Sequence, residues 1–253
     1  MLLFVLLLAA PTALPSPTPP AGLACVAKHY AITAKQVDGA WFAELADGTR
    51  VPWDDGKTKT HEERLATPDV QDIFYLPYPT GEIVPVTEEG RDPGGVRVEP
   101  ILRATYGASA KAVEAKLVPV DFAGKTLRVH VLAKPAFEAA GKRVAAAVKA
   151  DPASAKFLEA MGGTFNWRTV AGTNRASSHS FGGSLDLNPS LGDYWRWSKK
   201  PAWTNRVPAA LVDAFEAEGF VWGGRWHRYD TMHVEWRPEL FCEALPERPR
   251  ETP

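Results

Sequence analysis

Cysteine and net charge are both scarce in this chain of 253 residues, which has two cysteines and 29 basic against 30 acidic residues for a formal net charge of -1. The near-neutral balance supplies no single-sign field for a nucleic-acid backbone or an anionic membrane, so nucleic-acid binding is set aside. Two cysteines allow at most one bridge. Cys25 and Cys242 bracket the presumptive folded part, and in an oxidising compartment they could tie its ends together, although two cysteines do not by themselves prove a pair. Long apolar runs are missing too. The longest, Leu2 to Ala10, is far short of the about 20 residues a spanning helix needs, so no stable membrane span is expected.

That run instead fits the hydrophobic core of a secretory signal, with Ala9, Ala10, Thr12 and Ala13 offering a cleavage site, although no Lys or Arg precedes it. Export to the periplasm or the extracellular space follows as an expectation. Gly22-Leu23-Ala24-Cys25 faintly resembles a lipoprotein processing site, but prolines separate it from the apolar run, which makes tethering at Cys25 the lesser reading. Five prolines between Pro11 and Pro20 mark residues 11–24 as a linker, so 1–24 reads as signal plus linker, with the fold starting near Cys25.

Residues 25–130 read as an extension of hairpin and loops. Asp47-Gly48 between Trp41 to Leu45 and Thr49 to Trp53 predicts a β-hairpin, because Asp-Gly supplies the positive φ of a tight turn. From Asp54 to Gly95 repeated prolines interrupt regular structure, and this stretch is expected to wrap over something else. A short helix fits Ser109 to Leu117, and a strand fits Thr126 to Ala133. Residues 131–245 read as the main domain. Phe137, Ala140, Val144 and Val148 recur at helical spacing over Ala136 to Ala150, behind Pro135. Further helices are expected at Ala153 to Met161 and Pro208 to Glu218, with strands at Thr164 to Thr169, Phe220 to Trp222 and Met232 to Trp236. The fold class predicted is α+β, with a small antiparallel sheet, helices packed on one side and the loop-rich amino-terminal extension; residues 246–253 read as a tail. Seven of the nine tryptophans fall between Trp167 and Trp236. Core packing is their default use, with lining of a groove as the alternative.

Two segments carry chemistry. In Ser177-Ser178-His179-Ser180-Phe181-Gly182-Gly183-Ser184-Leu185-Asp186, His179 and Asp186 would face opposite sides of a straight strand, since side chains alternate. Gly182 and Gly183 let the chain turn so that both converge. The second segment, Trp222 to His233, adds His233 and the nearby Asp230. Two imidazoles and a carboxylate suit zinc with its fourth position open to water, whose pKa falls to roughly 7; the bland reading of the same residues is capping or surface groups. Asp230 would take the proton from that water and hand it to the leaving group. Glu235, two residues beyond His233, would share its strand face and orient it, or else act as the base in place of Asp230. His227 is read as a residue of the groove edge, and His29, His61 and His130 as structural or exposed.

Thr164-Phe165-Asn166-Trp167-Arg168, Ala171-Gly172-Thr173, Ser177-x-His179-x-x-Gly182-x-x-x-Asp186 and Asp230-Thr231-Met232-His233 with Glu235 together resemble the D-alanyl-D-alanine carboxypeptidase family of zinc peptidases, which includes vancomycin-resistance D,D-peptidases and phage L-alanyl-D-glutamate endolysins. The resemblance spans about residues 160 to 241, with Ser184 standing where the family usually has Ala. It implies zinc on His179, Asp186 and His233, Asp230 as base, and Arg168 steadying the developing oxyanion, in place of the ordinary salt bridge that a lone strand arginine would suggest. Ser177 would hydrogen-bond substrate or orient a ligand, and Arg175 could do either. The implied substrate is the peptidoglycan stem peptide, cut as a D,D-carboxypeptidase, an L-alanyl-D-glutamate-type endopeptidase or an amidase. A non-catalytic wall-binding module that retains zinc is the contrasting class. The residues themselves imply only metal-assisted hydrolysis.

Overall fold

In the computed structural model, which describes residues 17–242, the chain packs around two hydrophobic clusters. The expected signal and the carboxy-terminal tail lie outside the described residues. The first cluster lies between helices and the sheet that carries the site. Helix α5 (Lys134–Ala150) buries Phe137, Ala140 and Val144, and α6 (Ala209–Glu216) buries Leu211, Val212 and Phe215. Both apolar sets follow the 3.6-residue period that builds a single stripe. The hairpin of β4 (Leu117–Phe122) and β5 (Lys125–His130) adds Val120, Phe122 and Val129 to the same core.

Three short strands form the sheet in the order β6 (Ser184–Asp186), β8 (His233–Trp236), β7 (Phe220–Trp222), all antiparallel. Alternation sorts its faces. Leu185, Val234, Phe220 and Trp222 point into the core beneath α5 and α6. Asp186 stands opposite His233, and Ser184 opposite Glu235, on the other face. The α+β class, with helices on one side of a small antiparallel sheet, is therefore what the chain adopts.

The second cluster belongs to the amino-terminal region. Helix α1 (Ala21–His29), the meander β1 (Ile32–Val37), β2 (Ala40–Leu45), β3 (Arg50–Pro52) and α3 (Glu99–Tyr106) enclose Leu23, Val26, Ala43, Val51, Ile101 and Tyr106. Two short helices complete it. A capping box between Thr60 and Glu63 starts α2 (His61–Ala66), and the Ser109 side chain caps α4 (Ala110–Glu114). The Asp47-Gly48 hairpin forms as expected, with Gly48 at φ 84°. A disulfide joins Cys25 to Cys242 and so ties α1 to the far end of the described chain. It also engages the sulfur that lipidation at Cys25 would require.

Residues 78–98 form the strap that the proline-broken text foreshadows. Its carbonyls accept from Arg225 at Gly81 and Glu82, from Trp226 at Pro93, and from Arg237 at Gly94 and Val96. An irregular stretch can lie against a folded surface only if its backbone groups find such partners.

Several local expectations need correction. The linker ends sooner, because Leu23 and Val26 give the chain an apolar face to bury and α1 already begins at Ala21. Residues 152–158 form a 3-10 helix in place of the α-helix expected over 153–161. Thr164 to Thr169 is irregular, held by isolated bridges from Gly163 to Asp186 and from Thr169 to Ala176. β5 ends at His130, and its partner β4, like β1 and α3, was not foreseen.

Candidate metal centre and cleft

Cross-strand pairing places Asp186 beside His233, and a turn brings His179 to them. His179 sits in a 3-10 turn (Ser178–Phe181) that ends at Gly182, which has φ 66° and lies so close to Leu117 that a Cβ would meet Cδ2 at 2.6 Å. A left-handed φ and that close an approach both favour glycine. Phe181 anchors the turn in the amino-terminal core beside Tyr106 and Trp167.

The three predicted ligand atoms form a tight triangle. His179 Nε2 lies 3.1 Å from Asp186 Oδ1 and 3.2 Å from His233 Nδ1, and His233 Nδ1 lies 2.9 Å from Asp186 Oδ1. Zinc bonds of about 2.0–2.1 Å at tetrahedral angles would set donor atoms roughly 3.3 Å apart, so the triangle fits one ion with a coordination position left open. Cys25, His29 and Cys242 also lie close together, as do Asp54, Asp55 and Asp69. In the first of these groups the disulfide consumes both sulfurs. In the second, Lys59 already pairs with Asp55 and Asp69.

Electrostatics hold the triangle in shape. Burial works against charge on Asp186, but hydrogen bonds to His179 and His233 keep its carboxyl well below the usual range. Burial likewise opposes charge on His233, yet Asp186 and Glu235 together raise it to about 10 in the metal-free protein. Glu235 Oε2 lies 3.1 Å from His233 Nε2, and Ser178 Oγ lies 3.2 Å from the same nitrogen. With Nδ1 turned to the ion, Nε2 carries the proton and donates it to Glu235, an arrangement that fixes tautomer and ring orientation. Glu235 is held in turn by Arg97, through Nε at 3.0 Å and Nη2 at 2.6 Å, and by Arg237 Nη1 at 3.0 Å. The network runs on from Arg237 to Glu239 and Tyr30, and so reaches the amino-terminal region.

Asp230 is partly buried; its Oδ1 is shut off from solvent and hydrogen-bonds no group among the described residues. Burial raises its carboxyl to about 6; the Asp186 charge adds to that rise, and His233 opposes it. The chain can take Asp230 to this place because Gly223 lies under it, where a Cβ would meet the Asp230 carbonyl oxygen at 2.4 Å. Arg168 is exposed and makes no ion pair among the described residues; its one side-chain hydrogen bond is a long one, 3.4 Å, to the Thr169 carbonyl. Its backbone is fixed by Ser180 Oγ, which bonds both Arg168 N and Arg168 O.

All seven predicted site residues except Glu235 line one cleft of about 820 Å³, and Glu235 sits directly behind His233. Ser177 lines the cleft, but its neighbour Ser178 is the serine that meets His233. His227 stays off the cleft, His130 is buried against the Tyr106 carbonyl, and His61, for which no acidic partner was foreseen, pairs with Asp92 at 3.2 Å. The tryptophans divide: Trp195 and Trp226 line the cleft while Trp222 is core.

Sequence reasoning missed the opposite wall, made by Glu62, Asp92, Arg97 and Arg228. No local pattern announces the first three, Arg97 and Glu235 being 138 positions apart, while Arg228 lies inside the Trp222 to His233 segment. No curated protein and no solved structure matches this chain. Residues 171–236, the stretch that holds the triangle, Asp230 and Glu235, match the family profile described as D-alanyl-D-alanine carboxypeptidase, which supports a peptidase of that family.

Proposed function

We propose that this chain is an exported zinc peptidase that hydrolyses peptide bonds in bacterial peptidoglycan stem peptides, first of all as a D-alanyl-D-alanine carboxypeptidase. The observation that carries the reading is the triangle of His179, Asp186 and His233 with a buried carboxylate oxygen of Asp230, unpartnered among the described residues, in the same cleft. Bound zinc supplies Lewis-acid polarisation and brings the pKa of a water toward neutrality.

The chain's own groups do the rest. Asp230 accepts a proton from the attacking water and delivers it to the leaving amine, work suited to a carboxyl poised near 6. Arg168, whose guanidinium has no acidic partner among the described residues, stabilises the charge that develops on the carbonyl oxygen. Glu235 keeps the proton on Nε2 of His233, leaving Nδ1 for the ion. Trp195 and Trp226 line the cleft and offer apolar surface to the substrate. Export is supported by the Leu2 to Ala10 run and by a disulfide that needs an oxidising compartment.

Mass spectrometry of purified muropeptides, incubated with the zinc-loaded protein with and without chelator, tests the reading. Loss of a terminal D-Ala that requires metal supports a D,D-carboxypeptidase, and a metal-dependent internal cut makes it an endopeptidase. Absence of any product from protein shown to hold zinc would turn the reading to a wall-binding module.

A further inference from the structure

Five arginines line the cleft, and four have their guanidinium groups engaged. Arg97 binds Glu235, Arg228 binds Glu62, Arg196 stacks on Trp195, and Arg168 reaches the Thr169 carbonyl. Arg175 differs. Its side chain is half-buried, yet its guanidinium meets no hydrogen-bond partner, carboxylate or ring among the described residues. Burial and the neighbouring Arg97 cation, with Arg228 beyond it, weigh against its charge; Glu62 and Asp92 offset part of this without touching it. A partly desolvated cation facing other cations has a standing demand for an anion.

The surroundings give that anion a shape. Arg175 and Arg97 stand where the main cleft meets a side pocket of about 240 Å³, and both residues line the two spaces. The pocket's walls are mostly apolar, from Val51, Leu65, Pro100 and Leu102 of the amino-terminal region and Phe181 of the His179 turn. It is sized for one small residue and is lined by the Arg97 and Arg175 cations; the one carboxylate in its lining, Glu99, is already taken up by Arg103 and the Ala176 amide. Guanidinium is the side chain best matched to a planar, bidentate carboxylate.

We propose that Arg175, backed by Arg97, is the carboxylate-binding residue of this cleft, and that the substrate presents a free carboxylate next to the scissile bond, its residue seated in the side pocket. The subsite is composite: one cation and most of the apolar walls come from the region outside the family-matched stretch, which gives that region a part in choosing substrate. The inference rests on the peptidase reading above. A carboxylate in that position can come from a peptide's carboxyl terminus or from an acidic residue within it.

Two peptide pairs separate the sources. One is an acylated peptide ending in D-Ala-D-Ala, as free acid and as carboxyl-terminal amide. The other is an L-Ala-D-Glu peptide with the glutamyl carboxylate free or amidated. Zinc-loaded protein, Arg175→Gln and Arg175→Lys are compared by kcat/KM, with zinc content and melting temperature recorded for each. The expected result is a preference for the free acid of about 10- to 100-fold within one pair, as suits a charge-assisted hydrogen bond. That preference should collapse toward unity in Arg175→Gln and survive in part in Arg175→Lys, with one zinc retained per chain. The pair that shows it names the source. Equal cleavage of acid and amide by the unaltered protein overturns the proposal and leaves the peptidase intact. A loss in Arg175→Gln that falls equally on both members marks a structural role and overturns it as well. Cleavage of no member of either pair overturns the peptidase reading and this inference with it.

Discussion

The cleft has two walls of different origin. The catalytic wall is assembled at short range, from a turn, two paired strands and a loop within residues 168–235, and its charged groups point at one spot. The facing wall comes mainly from residues 62–97, has little regular structure, and reaches the metal triangle through Glu235, directly by Arg97 and indirectly by the Gly94 and Val96 carbonyls that hold Arg237. The first wall is specified by reacting groups that must meet within a few ångströms. The second is specified by burial and by backbone carbonyls that need donors, conditions that many sequences meet. A site can thus be built from one compact motif and still depend on a distant segment for the hydrogen bonds that hold it.

The largest effects should come from breaking the catalytic wall at the metal. His179→Ala or His233→Ala should abolish stoichiometric zinc binding and bring hydrolysis to background, read by metal analysis and peptide turnover. Full zinc occupancy in either variant would place the ion elsewhere.

Asp230→Asn should keep the zinc and lose about 10²- to 10⁴-fold in kcat, the range of general acid-base contributions. The same substitution should stabilise the metal-free protein. The Asp230 carboxyl has a folded pKa raised from 3.8 to about 6, so its contribution to stability is full below about pH 4 and is lost as pH rises through about 6. An asparagine escapes that loss, and metal-free Asp230→Asn should melt higher than the unaltered protein at pH 8, with the gap closing toward pH 4. Equal melting at pH 8 would contradict the strained, buried carboxylate described here.

Arg168→Ala should lower kcat by about 10²- to 10³-fold with zinc content unchanged, as removal of an oxyanion donor does. A change in KM alone would instead make Arg168 a binding group.

Arg97→Gln sharpens the comparison most, since it touches the metal site only through the far wall. Loss of a partner that orients a ligand typically costs about 10- to 100-fold in metal affinity. A competing-chelator titration should show that loss, with Arg97→Lys recovering part of it. Unchanged affinity would reduce the amino-terminal region to a cover. In the same titration zinc should bind more weakly as pH falls, because the proton held by His233, raised to about 10, must leave for the metal to enter.

The legibility of the sequence follows this division. The triangle was readable because the spaced elements around it resemble a known peptidase family; two imidazoles and a carboxylate at those spacings would by themselves serve equally as capping or surface groups. Helices α5 and α6 were readable because their apolar residues keep one period against one core. The 164–169 segment was misjudged because its β-like pattern serves Ser180 hydrogen bonds and single bridges, with no neighbouring strand to complete a ladder. Arg97, Arg228 and Ser178 were missed for different reasons. Arg97 reaches the cleft by long-range folding, whereas Arg228 and Ser178 lie inside the two segments that carry the motif and were passed over there. His61 shows the same limit, since its partner Asp92 is 31 residues away along an irregular chain.

Anomalous scattering at the zinc edge from crystals of the zinc-loaded protein tests the central claim most directly. The account predicts one strong peak per chain within about 2.0–2.1 Å of His179 Nε2, His233 Nδ1 and an Asp186 carboxylate oxygen, with Asp230 in the same cleft but off the ion. A peak at any other cluster of side chains, or none at the triangle in protein that holds zinc, would contradict it.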